Sequence, residues 1–396
     1  MKRVYLGAAT LALLPLLTPS ASATVFADAR AGGMGGVGVA SGDFTRASQN
    51  PALLTRFKEG EDFYFQLGAG VLARDYEEAI DDIDALQANL DRFEALINSG
   101  DPNAAPEALA LKDEIVGQLE NLDQTKPEAN GGALLGFFVP SKSLGFGLSL
   151  NTFLVGNGLI NYIEEDEQLL DDALAGAPFD QNDIQSNADV QAVGITEVAL
   201  SFAREFQSPW LGQFSVGVAP KMQRIDTYYY NATVSNFDED DITSDDNLTD
   251  QTEFNLDVGF QGSYGPWQYG LVGRNLISQS LRNTNNQDLE LKPTVIGAVA
   301  FQQGGFTAAL DLDLIKDESF AALTDPRQWA RFGVEYDFGG HAQLRAGYRH
   351  DLEGNSEDVL SLGLGISPGD VFTLDLAGQF GDDDERGAVV QLGLKF

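Results

Sequence analysis

Cysteine is absent from the 396 residues, so this chain can hold no disulfide, thiolate–metal site, thiol nucleophile or redox CxxC pair. Histidine is nearly absent, with His341 and His350 alone. A barrel hydrolase needs a nucleophile beside an oriented base, and two histidines at candidate strand ends, one followed by Asp351, do not supply that arrangement. No zinc-ligand cluster is present either, and the chain reads as a non-enzyme without cofactor or metal. Basic residues are scarce: 24 Lys and Arg stand against 60 Asp and Glu, a formal net charge of -36. Phosphate backbones are gripped by Lys and Arg, which excludes nucleic acid as a partner. The last absence is an internal apolar run of about 20 residues, so no internal transmembrane helix is expected. That leaves open a β-barrel, whose strands alternate and whose signal is weak in any one segment.

The two ends carry patterns of their own. Lys2 and Arg3 precede an apolar stretch from Val4 to Leu17, and Ala21-Ser22-Ala23 forms a small-residue cleavage site. Residues 1–23 therefore read as a signal peptide, with the mature chain starting at Thr24. No cysteine follows, which excludes a lipoprotein anchor. The last ten residues read GAVVQLGLKF. Ala388, Val390, Leu392, Leu394 and Phe396 share one face of a strand, and smaller or polar residues mostly share the other. A soluble antiparallel sheet would show the same alternation, so the rest of the chain must decide.

Residues 24–60 are rich in glycine: Gly32, Gly33, Gly35, Gly36 and Gly38 precede Phe44 and the run Asn50-Pro51-Ala52-Leu53-Leu54. No Gly-Lys-Ser/Thr follows the glycines and no strand precedes them, so a phosphate loop is not indicated. A glycine-rich segment, an Asn-Pro-Ala and then strands resembles the hatch of the FadL family of outer-membrane transporters for hydrophobic compounds. The mature chain as a whole resembles the barrel-type conjugal transfer protein TraF family, which is distinct from the thioredoxin-like proteins of the same name. The hatch likeness is confined to 24–60; beyond it the likeness is one of pattern. The resemblance implies that Gly33, Gly36, Phe44, Asn50, Pro51 and Ala52 belong to a hatch folded into a barrel. It implies further that Phe396 is the insertion signal read by the barrel-assembly machinery. It places the chain in the outer membrane of a Gram-negative bacterium, among lipid and lipopolysaccharide, and points to a hydrophobic small-molecule ligand.

The barrel itself can be read from the residues. Alternating stretches bounded by turn residues give candidate strands at 62–73, 131–140, 144–156, 190–206, 212–229, 252–264, 266–276, 291–302, 305–315, 328–338, 341–350, 358–367, 371–380 and 387–396. Connections at 140–143, 207–211, 265, 303–304, 339–340 and 368–370 are short and rich in turn residues. Those at 74–130, 157–189, 230–251, 277–290 and 316–327 are longer, and 351–357 and 381–386 occupy the same places in the order. Outer-membrane barrels alternate in this way, with tight periplasmic turns and long outer loops. The expected fold is therefore all-β: a transmembrane antiparallel β-barrel of about 14 strands over 61–396, with an N-terminal lumenal hatch.

The first outer loop, 74–130, is unusual. Ile80, Ile83, Leu86, Leu90, Phe93 and Ile97 follow helical spacing, Asp101-Pro102 breaks it, and Leu111, Ile115, Leu119 and Leu122 resume it. This is a helical hairpin that buries its own seam or lies over the barrel mouth. FadL-like proteins carry such a hairpin in a later loop, so the position departs from that pattern. Acidic runs at 164–167, 238–241, 245–246 and 382–385 read as a solvated, self-repelling surface, with divalent-cation binding as the alternative.

Strand parity then assigns the lumen. Phe306, Ala308, Leu310, Leu312 and Leu314 face outward, which turns Asp311 and Asp313 inward; the same rule turns in Arg331, Glu335, Arg345, Arg349, Asp257, Arg274 and Asp375. A charge on the lipid face costs about 2–4 kcal/mol at the midplane, so their common placement supports the parity. Asp313 with Arg331 and Glu335 with Arg345 are expected cross-strand pairs. Two readings of these residues stand: a structural ladder, or a constriction in which an Arg fork orients the polar head of an amphiphile. For the whole chain there are also two. One is a FadL-like channel for hydrophobic or amphipathic small molecules, the other a barrel-anchored surface or assembly protein that acts through its outer loops.

Overall fold

The computed structural model describes residues 27–210, 212–321, 323–381 and 385–396. The expected signal peptide, residues 1–23, and Asp382 to Asp384 lie outside the described residues.

Sixteen strands form among the described residues. They are β1 (Tyr64–Arg74), β2 (Glu128–Val139), β3 (Gly145–Asn161), β4 (Asn187–Ser208), β5 (Gly212–Thr233) and β6 (Leu248–Tyr264). Next come β7 (Trp267–Arg274), β8 (Gln279–Arg282), β9 (Asp288–Leu291), β10 (Thr294–Gln303) and β11 (Phe306–Asp313). The last five are β12 (Trp329–Asp337), β13 (Ala342–Asp351), β14 (Val359–Ile366), β15 (Phe372–Phe380) and β16 (Arg386–Lys395). All but β8 and β9 form one closed antiparallel barrel of 14 strands, sealed where β1 pairs β16 with Tyr64 opposite Lys395. Closure leaves no strand edge unpaired, which is what allows a sheet to stand in lipid.

Alternation produces this wall because one side of each strand is apolar and the other is not. Leu310 and Phe332 are 46% and 48% exposed on the outside, whereas their neighbours Asp311 and Arg331 are 1% and 4% exposed within. An outward belt of that kind would aggregate in water and needs a hydrocarbon solvent. Trp210, Tyr264, Trp267, Phe306, Tyr336 and Phe338 lie exposed at or beside the tight turns, the interfacial level that amphipathic rings prefer. The turns are short because glycine supplies them: Gly265 and Gly304 take φ of 58° and 61°, where a side chain would be strained. The end with these turns and with Phe396 is termed the inner end, and the end with the long loops the outer end.

The wall is uneven in height. Strands β4 and β5 have 22 residues each and β3 and β6 have 17, against 8 to 10 in the barrel strands from β7 onward. The extra residues lengthen the outer ends of β3 to β6. Against this tall sector packs the helical hairpin, Tyr76–Ser99 and Ala105–Leu122. Its seam of Ile83, Leu86, Leu90, Phe93, Ile115 and Leu119 continues onto Ile160 and Ala188. Those two wall residues face each other across β3 and β4 on the outward parity. The hairpin therefore stands against the outside of the wall extension, burying its own seam there, and does not lie over the mouth.

Two loop readings need correction. The run at 164–167 is not a solvated loop but the start of a helix, Glu165–Leu174. Asp166 is fully buried and accepts hydrogen bonds from Gln185 N at 2.8 Å, Ser186 N at 2.7 Å and Ser186 Oγ at 2.5 Å. Segment 277–290 is not an open loop, because it contains most of the β8–β9 hairpin. Its signal was the alternation Leu289-Glu290-Leu291 after an asparagine-rich turn, with Asn286 at φ 61°.

Candidate functional site: a lumen filled from both ends

Residues 27–56 run inside the inner half of the barrel. The short helix Ala29–Gly32 is capped by Asp28, whose Oδ1 accepts from Ala31 N at 3.0 Å, and Ala29 packs on Ala377 and Val389. Chain reversal follows through Gly35 and Gly36 at φ 69° and 93°, and Gly36 N donates to Ala31 O at 2.8 Å. Met34 and Val37 then rest on Ala300 and Ala309, Val39 on Val272 and Ile296. Phe44 is fully buried with Leu54, Tyr64 and Phe138, and meets the Tyr64 ring edge-on at 6.3 Å.

The segment fits because lumenal glycines leave room for its backbone. A Cβ on Gly347 would lie 2.0 Å from Gly35 N, and one on Gly333 would lie 2.4 Å from Met34 O. Gly33 lies against Gly363 in the same way. Asn50 is the main polar tie. Its Oδ1 accepts from Ala52 N at 3.0 Å, capping the 3-10 turn Pro51–Thr55, while Nδ2 donates to Val39 O at 2.9 Å and to Phe260 O of the wall at 3.1 Å. Pro51 Cδ and Ala52 N lie against lumenal Gly259 and Gly217.

Ionic contacts continue the seal. Asp311 Oδ2 accepts two successive backbone donors, Gly38 N at 2.8 Å and Val39 N at 2.9 Å. Arg331 and Asp313 form a two-pronged pair at 2.5 and 3.1 Å. Arg345 Nε donates to Glu335 at 2.7 Å and its Nη1 to Asp375 at 2.5 Å. Arg349 Nη2 donates to Glu385 at 3.2 Å, and its guanidinium lies 5.0 Å over the Trp329 ring. Sequence parity brought these charges to one side of the wall. It did not find Arg30, which reaches from the hatch to chelate Glu335 at 2.8 and 2.9 Å, because no sequence spacing links residues 305 apart. Phe396 closes the inner rim, stacking on Phe63 at 4.9 Å and exchanging backbone hydrogen bonds with it at 2.9 Å.

The outer half of the lumen has the opposite character. Phe153, Val155, Val193, Ile195 and Ile225 make its wall apolar. Into it fold Leu281, Leu289 and Leu291 of the β8–β9 hairpin and Phe320 and Leu323 of the 314–328 loop. The two loops are tied together, Phe320 N donating to Glu290 O at 2.7 Å, and to the wall, Gln279 Nε2 donating to Phe254 O at 3.0 Å. Cavities remain among the described residues. An outer cup of about 670 Å³ is lined by Arg74, Glu128, Asp189, Tyr229 and Arg327 among others. A pocket of about 40 Å³ lies between Gln49, Glu197, Lys221 and Arg274, and an inner vestibule measures about 490 Å³. Among the described residues no cluster of His, Asp and Glu could hold a metal ion.

Residues 47–313 match the family described as "F plasmid transfer operon, TraF, protein". The chain belongs to that family. No individually curated protein matches it at the level of sequence. Among solved structures it is similar to a Pseudomonas aeruginosa FadL homologue, at 10% identity and a TM-score of 0.54, over 96% of this chain and 99% of that one. A TodX deltaS2S3 mutant monoaromatic hydrocarbon channel matches at 11% identity and 0.52, over 93% and 97%. The P. putida toluene transporter TodX matches at 13% and 0.50, over 93% and 98%. At such identities the likeness is one of fold: this TraF-family chain folds as a FadL-like barrel.

Proposed function

We propose that this protein is a gated outer-membrane channel that passes a hydrophobic or amphipathic small molecule down its gradient, inward or outward. One observation carries the reading. The outer half of the lumen is an apolar chamber, unusual inside a barrel, and it is filled by the chain's own Leu281, Leu289, Leu291, Phe320 and Leu323. An apolar guest that displaces these side chains recovers the burial they lose, about 25 cal/mol per Å² of apolar surface. A polar solute gains nothing there. The hatch blocks water and ions below, so the barrel is not a general pore. Export by the segment 1–23, insertion directed by Phe396 and residence in a Gram-negative outer membrane belong to the same reading.

The test is a deletion of residues 24–48. The expected result is a folded barrel whose conductance in planar bilayers rises; unchanged conductance refutes a plug. Uptake of an apolar dye into proteoliposomes of the intact protein tests the cargo class, and no uptake above empty liposomes refutes it.

A second reading, a barrel-anchored assembly protein, draws on the helical hairpin, which stands outside the lumen and therefore outside any path through it. Deleting 76–122 should spare dye uptake; if it abolishes cell-surface association instead, the hairpin is the working part.

A further inference from the structure

The outer cup is out of keeping with the surface around it. The chain carries a net charge of -36 and its outer loops are acidic, yet the described residues lining the cup include three bases and three acids. Two of the bases, Arg74 and Arg327, lie 2.8 and 3.2 Å from the same acid, Glu128. Asp189 is held by neutral donors, Tyr229 Oη at 2.8 Å and Asn231 Nδ2 at 2.8 Å. An ionic guest therefore meets balanced charge in the cup.

Neutral hydrogen bonding is what the cup offers. Asn157, Gln191, Asn285, Gln287 and Asn355 bring primary amides to its lining, each with an acceptor oxygen and two N–H donors. Gln191 Oε1 is buried and accepts no hydrogen bond from the protein, so an O–H from a guest is the partner that satisfies it. Half-buried Tyr229 adds an aromatic ring to the same lining. Vicinal hydroxyl groups match this set, because each O–H both donates and accepts.

We infer that the outer cup is a binding site for a neutral saccharide, with Asp189, Gln191, Tyr229 and Asn285 among its hydrogen-bonding groups. Its volume of about 670 Å³ falls within the range of about 300–1,000 Å³ for small-molecule sites. The site lies above the apolar chamber and is independent of the channel reading. Its occupancy should nevertheless be felt below. Asn285 and Gln287 belong to the turn of the β8–β9 hairpin, Leu323 and Thr324 to the 314–328 loop, and Asp189, Gln191 and Tyr229 to the wall strands β4 and β5. Asn157 Nδ2 of β3 already donates to Leu323 O across that gap. A guest bonded to both sides ties the loops to the wall and stabilises their closed arrangement.

The experiment is calorimetric titration of the intact barrel in an amine-oxide detergent, whose head group is not a sugar. Lactose, maltotriose and triacetylchitotriose are the neutral guests, sialyllactose the anionic one, and lipid-free O-polysaccharide the surface-borne one. A neutral guest should bind with a Kd below about 1 mM and slow hydrogen exchange over 279–291 and 314–328. Gln191→Leu should weaken it about fivefold, the loss of one neutral hydrogen bond. The same variant should leave thermal unfolding unchanged or higher, because an apolar group replaces a buried acceptor that the protein does not satisfy. Asn285→Ala, at an exposed turn, should weaken binding by a similar factor and decides the matter if Gln191→Leu does not fold. Three results overturn the site: no binding by any neutral guest or by O-polysaccharide, tighter binding of sialyllactose than of lactose, or binding indifferent to both variants. Binding of O-polysaccharide alone keeps the site and assigns the saccharide to the membrane's own surface coat. Binding of the free oligosaccharides alone assigns it to the medium.

Discussion

The barrel is closed by two segments that use different physics. The inner one, 27–56, is fastened by directional contacts: Asn50 to two carbonyls, Asp311 to two backbone donors, Arg30 to Glu335. The outer one, 279–291 with 314–328, is fastened mainly by leucine and phenylalanine side chains against an apolar wall. Directional polar contacts in a dry site fit one arrangement and are costly when half made, so the inner seal should be released only as a set. Apolar contacts are non-directional, and a guest of similar surface can replace them one at a time. In the proposed channel the outer segment serves as the selective layer and the inner one as the latch.

Glu335→Gln should have the largest effect. It removes the charge shared by Arg30 and Arg345, leaving two buried guanidinium groups short of a partner, at a cost of about 4 kcal/mol. Thermal unfolding should shift downward and leak conductance should rise; wild-type behaviour in both would mean that the latch lies elsewhere. Leu289→Ala comes next. Leu289 is 1% exposed, and its truncation should loosen the outer segment by about 3 kcal/mol. Hydrogen exchange should quicken over 279–291 and dye uptake should rise, with conductance unchanged. A rise in ion leak instead would erase the distinction between the two seals.

The smallest effect concerns Asp317, in the loop that carries Phe320. Burial pushes its carboxyl up to about 6, against hydrogen bonding from Ser319, which works in the opposite direction. The folded loop therefore holds a proton that the opened loop, with an ordinary carboxyl near 3.8, releases earlier. Closure weakens as pH rises from about 4 to about 6 and is flat on either side. A spin label on Asp325→Cys, the only thiol such a variant would contain, should gain mobility across that window. Adding Asp317→Asn should abolish the slope; a slope that survives assigns the titration to another group.

Much of the wall could be read in advance, because a strand's two faces differ at every second residue and that signal is local. Each candidate strand from 62–73 to 387–396 overlaps a barrel strand, and both expected cross-strand pairs, Asp313 with Arg331 and Glu335 with Arg345, are present. The helical hairpin was legible for the same reason, its seam repeating at helical spacing. Strand ends were less so. Strands β4 and β5 run several residues beyond the expected limits, since the added outer residues include Asn187, Asp189, Asn231 and Thr233, whose polar side chains read as loop.

What the sequence by itself determined is the period-two wall, its even strand count and the side on which each charge stands, all consequences of backbone geometry acting over a few residues. Only the tertiary structure decided what fills the lumen. Arg30 meets Glu335, Leu281 meets Phe153, and Arg46 is left with a donor unused, because closing the barrel brings together side chains whose separation along the chain carries no periodicity.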